Sequence, residues 1–190
     1  MTLCKQWLVA LTLGVLTSNA FALTCDDKSP SFIKEGDKYF NLDNTKPLTS
    51  KQREAVKRIF SSLRTRLKGK EVVTSCDAQQ GIEKLKLTAQ LSFQSDGVLL
   101  IELEKYDKEI KSTATETLSY FGEGANYTTI KTSKNSIAFN HKLRIVSSSG
   151  VLPFNEKIVK LSVKNGGLTI QIVNFYNGYF AFSRKITLRH

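Results

Sequence analysis

The residues of this chain that could do chemistry are few: two histidines, three cysteines, a stripe of carboxylates and a crowd of cations. Glu102 and Glu104 alternate onto one face of an expected strand, with Glu116 on the next. Carboxylates at the right separation can cleave a glycosidic bond, but lysines nearby make a solvated, ion-paired stripe the simpler reading. His141 falls on the apolar face of an expected strand, where a histidine reads as a packed, hydrogen-bonded residue rather than a base. His190 is the last residue. No G-x-S-x-G, H-E-x-x-H or phosphate-cradling glycine loop is present. Two histidines without zinc-type cysteine spacing point to no metal site, and nothing points to a cofactor. An enzyme of unrecognised site stays as the third functional reading.

The cysteines read as structure. Residues 1–22 carry Lys5, an apolar run from Trp7 to Leu16 and then Ala20-Phe21-Ala22, the tripartite pattern of a cleaved signal peptide. The apolar run is too short to span a bilayer comfortably. The expected mature chain, 23–190, is exported to a periplasm or the outside. Cys4 leaves with the leader, so Cys25 and Cys76 remain, and in an oxidising compartment they should form a disulfide. That bond closes a loop of about 50 residues and contributes about 4 kcal/mol by chain entropy. Asn126-Tyr127-Thr128 also fits an N-glycosylation acceptor.

Charge is the strongest compositional signal. The formal net charge is +11, and loss of the leader removes only Lys5. Lys51, Arg53, Lys57, Arg58, Arg64, Arg66 and Lys68 crowd into one short stretch with a single acid, Glu54. A merely solvated helix mixes signs to gain i,i+4 pairs, so this imbalance suits an anionic partner such as lipid, glycan or an acidic protein. Nucleic acid is not expected of an exported chain without a recognition motif.

These residues need elements to hold them. Val56, Ile59, Phe60, Leu63 and Leu67 recur at helical spacing and predict one amphipathic helix over 49–69. Thr49 with Gln52 forms a capping box, and Gly69 takes the left-handed stop. Residues 23–48 read as an irregular lead-in. From 83 to 190 period-two alternation predicts eight strands, over 84–93, 98–106, 109–121, 126–132, 136–146, 157–164, 168–176 and 179–188. Short turns join most of them, notably Asn165-Gly166-Gly167 and Asn177-Gly178, so neighbours should be antiparallel. The expected fold is α+β and mostly β. One N-terminal helix packs on an antiparallel meander, closed as a barrel or strongly curved, in a single domain.

Phe175, Tyr176, Tyr179, Phe180 and Phe182 flank the last turn. They read as cross-strand pairs or as the mouth of a ligand cavity. The leading functional expectation is therefore an exported, non-enzymatic binding protein that holds an apolar or amphipathic ligand or docks a partner. The alternative is a surface-interaction protein acting through the basic helix.

Overall fold

A computed structural model describes residues 23–27, 47–76, 83–94, 97–107, 111–122, 127, 130–144 and 154–190. The signal-peptide stretch, most of the lead-in, and Asn126 and Thr128 of the glycosylation pattern lie outside the described residues. The elements are one helix, α1 (Ser50–Phe60), and nine strands. The strands are β1 (Arg66–Ser75), β2 (Glu83–Phe93), β3 (Leu99–Asp107), β4 (Ser112–Tyr120) and β5 (Ile130–Thr132), followed by β6 (Ser136–Arg144), β7 (Phe154–Lys164), β8 (Gly167–Tyr176) and β9 (Tyr179–Arg189).

The helix begins as its sequence requires. Thr49 Oγ1 accepts from the Gln52 N–H, and the Gln52 side chain accepts from the Thr49 N–H. It ends earlier than its periodicity predicts, at Phe60 rather than Gly69. Ser61 turns its hydroxyl back to the Arg58 carbonyl, and short polar side chains that bond the local backbone stop helices. Val56, Ile59 and Phe60 are buried, and Leu63 packs on the core from the turn. Leu67 is buried too, but as a strand residue.

That strand, β1, is the element absent from the sequence expectation; the other eight fall where alternation places them. Its apolar phase is broken by Gly69 and Glu71, so period two does not stand out. Gly69 has no helix-stop role. A Cβ there would collide with the Thr187 carbonyl, so glycine allows β1 to lie close against β9.

All nine strands form one antiparallel sheet in the order β4-β3-β2-β1-β9-β8-β7-β6-β5. Asn165-Gly166 and Asn177-Gly178 make two-residue hairpins with positive φ at every central position, as type I′ turns require. The first strand pairs with the last, Lys68 opposite Arg189 and Glu71 opposite Ile186. β4 and β5 are the two ends of the order and share no ladder among the described residues, so the barrel expected as one alternative does not close. β5 is only three residues long and offers little edge to pair.

One face of the sheet carries the core. Leu87, Ala89 and Leu91 of β2, Leu99, Ile101 and Leu103 of β3, Ile137 and Phe139 of β6, and Ile186 and Leu188 of β9 all lie in it. Both wings contribute to the same interior. Tyr120 of β4 meets Phe139 of β6 with ring centroids 5.7 Å apart, and Phe121 lies 5.4 Å from Phe139. Phe60 brings α1 into this cluster through Phe121 and Phe93.

Candidate functional site

Four charged residues, Glu71, Lys105, Glu116 and Arg184, gather on the core face of the sheet. Glu71 of β1 is fully buried. Arg184 of β9 donates from Nε to Glu71 Oε1 at 2.5 Å, and from Nη1 and Nη2 to the two oxygens of Glu116 at 2.8 and 2.7 Å. Lys105 of β3 donates to Glu116 Oε2 at 2.6 Å, and its Nζ lies 2.8 Å from Glu71 Oε2 in an ion-pair contact outside hydrogen-bond geometry. Each carboxylate thus touches both cations, and the four charges cancel. Along a flat sheet, four spacings of about 4.8 Å would separate β4 from β9, beyond the reach of an arginine–glutamate pair. The wings turn toward each other, and this cluster clasps them.

Glu116 and Arg184 hold each other in their charged forms. The Arg184 guanidinium lowers the Glu116 carboxyl from its ordinary 4.5 to about 2, against the opposing effect of burial, with Lys105 adding to the depression. Burial works against the charge on Arg184, but the hydrogen bonds and charges of Glu116 and Glu71 outweigh it and raise its pKa. A carboxylate ionised across the ordinary pH range cannot donate a proton near neutrality. The chemistry of this cluster is that of a structural tie.

The carboxylates expected on one stripe are divided between the two faces. Glu102 and Glu104 are exposed on the outer face, whereas Glu116 turns inward, because Leu103 and not Glu102 stands opposite it. The His141 side chain lies outside the described residues. The aromatics around the last hairpin do not form one ring either. Phe175 and Phe180 are a buried edge-on pair at 6.3 Å, Phe182 is half-buried, and Tyr176 and Tyr179 face each other, exposed, at the turn.

The basic stretch is also divided. Lys51, Arg53, Lys57 and Arg58 ride on α1, Arg64 sits in the turn, and Arg66 and Lys68 belong to β1. On β1 they alternate outward with Lys70. Two like-charged pairs stand directly opposite across the ladders: Lys68 faces Arg189 of β9, and Lys70 faces Lys86 of β2. Lys185 lies on the same face, opposite Val72. Among the described residues none of these six cations has an ion-pair partner; the ion pairs between described side chains are those of the clasp. Two open grooves run over this surface. One, of about 890 Å³, includes Lys70, Lys86 and Tyr106; the other, of about 560 Å³, includes Arg66 and Glu102; Lys68, Thr88, Glu104 and Arg189 line both.

Sequence reasoning missed Lys70, Lys86 and Arg189 because β1 was not visible as a strand. It also missed Glu71, Lys105 and Arg184, for which a signal existed. Lys105 continues the phase of Leu99, Ile101 and Leu103, and Arg184 that of Ile186 and Leu188. A charge in an apolar phase marks a buried pair.

No protein-family model, curated protein or solved structure matches this chain.

Proposed function

We propose that the protein is an exported, non-enzymatic binding protein that engages an anionic partner through the outer face of β9, β1 and β2. The observation that carries this is the pair of adjacent like-charged contacts, Lys68–Arg189 and Lys70–Lys86, with no carboxylate opposite any of the four in the ladders. Like charges directly opposite in a sheet are destabilising, and a bound anion turns that repulsion into affinity. The interior supports a surface site over an internal one. Ile101, Leu103, Ile137, Leu161, Ile170 and Ile186 fill the core between the wings. The proposed site keeps Arg66 and Lys68 of the expected basic stretch, and the cations of α1 are the alternative that the test below separates.

The test is binding of the purified protein to a panel of polyanions: heparin, anionic lipid vesicles and polyphosphate. At least one should bind, and affinity should fall steeply as salt rises from low to physiological concentration. Lys68→Glu with Arg189→Asp should abolish the interaction, while Lys57→Glu with Arg58→Glu on α1 leaves it intact. Equal loss from both double variants would return the site to the helix, and no binding to any polyanion would end the reading.

A further inference from the structure

Resting on that reading, we infer that the partner is a linear, sulfated or otherwise acidic polysaccharide lying along β1. Strand geometry sets the first condition. Arg66, Lys68 and Lys70 project from alternate residues of one strand, so successive cations stand about 6.8 Å apart. They form a line of positive charge, reinforced from the side by Lys86 and Arg189. Such a line suits a chain with repeating anionic groups better than a single compact anion.

The borders set the direction. Glu102 and Glu104 lie exposed on β3, one strand beyond β2. They repel an anionic chain that crosses the strands and leave a track that follows β1. Glu104 also accepts a hydrogen bond from Thr88 Oγ1 at 2.9 Å, which fixes this acid in the groove wall on the β3 side.

The remaining groove residues choose among anionic partners. Thr88, Thr113 and Thr187 contribute hydroxyls, and Tyr106 an exposed ring. Hydroxyls match the hydrogen-bonding edge of a sugar, and a tyrosine offers a flat amphipathic surface to a sugar ring. A membrane-docking face instead carries apolar side chains that enter the acyl boundary. Among the described residues the exposed large hydrophobics are Leu23, Tyr106, Tyr176 and Tyr179, and only Tyr106 lines this groove.

The decisive experiment measures binding of the full chain to size-defined heparin oligosaccharides, a desulfated chain of equal length and anionic vesicles. Affinity should rise from disaccharide to octasaccharide and be lost on desulfation. Lys70→Glu with Lys86→Glu should weaken octasaccharide binding by about tenfold or more, by removing two attractive charges and adding two repulsive ones. Tyr106→Ala should weaken it without changing its salt dependence. Lys86→Glu alone gives a check that does not depend on ligand. It replaces a like-charged pair with an opposite one, so the midpoint of thermal unfolding should rise while affinity falls. A fall in that midpoint would remove the premise that the sheet carries the repulsion for the sake of binding. Flat length dependence, or equal binding of the desulfated chain, would overturn the polysaccharide assignment. Vesicle binding without oligosaccharide binding would overturn it too, yet leave the anionic-partner reading standing. Failure of every polyanion overturns both.

Discussion

At the scale of single residues, the clasp and the outer cations show how the same charge type does opposite work on two faces of one sheet. Inside, Arg184 and Lys105 share Glu71 and Glu116 in a closed set of contacts. A buried ionic group that loses one partner leaves an uncompensated charge, which typically costs about 3–5 kcal/mol. Glu71→Gln is therefore expected to lower stability by about that amount in urea denaturation. Replacing all four residues with apolar side chains of similar volume should cost far less. The pH dependence has a definite sign. The Glu116 carboxyl is depressed in the folded protein, from 4.5 to about 2. Its contribution is fully present above the unfolded value and is lost as pH falls from about 4.5 toward 2. Urea midpoints measured through that window should drop in the native protein and change less in Glu116→Gln.

At the scale of elements, α1 is the stopper of the core. Phe60 stacks near both Phe93 and Phe121 and is almost wholly buried. Phe60→Ala should cost about 3–5 kcal/mol, and a smaller loss would mean that the helix packs less tightly than its contacts imply. The existence of this helix was legible, because Thr49, Gln52, Val56, Ile59 and Phe60 carry both its cap and its stripe. Its end was not, since Leu63 and Leu67 keep helical spacing while the chain has already turned. Leu67 satisfies a helical period and a strand period at once, and only the β-branched Val72, Val73 and Thr74 beyond it tip the balance. The eight later strands were legible from alternation and from the asparagine–glycine turns. The outer basic site depends on which strands become neighbours. Lys70 and Lys86 adjoin through the β1–β2 ladder, and Arg189 reaches Lys68 from the far end of the sequence. No local pattern carries that information.

At the scale of the whole molecule, the fold is tied by three kinds of bond: the shared core, the clasp and the Cys25–Cys76 disulfide. The disulfide joins residues 51 apart in sequence, and the nearby backbone is fastened as well. Cys76 N donates to the Ala181 carbonyl, and Phe180 N to that of Asp27. Chain entropy for such a loop predicts that Cys25→Ser with Cys76→Ser lowers stability by about 4 kcal/mol, measurable as a lowered urea midpoint. Reduction with dithiothreitol should reproduce the loss in the native chain. The pairing of β1 with β9 has a consequence in time as well as in space. Arg184 and Glu71, tied at the middle of the sheet, are 113 residues apart, and such distant contacts slow the search for the native state. Neither β1 nor β8 gains its second neighbour until β9 is in place. Until β9 docks, β4-β3-β2-β1 and β8-β7-β6-β5 are two separate ladders, and its arrival makes them one sheet.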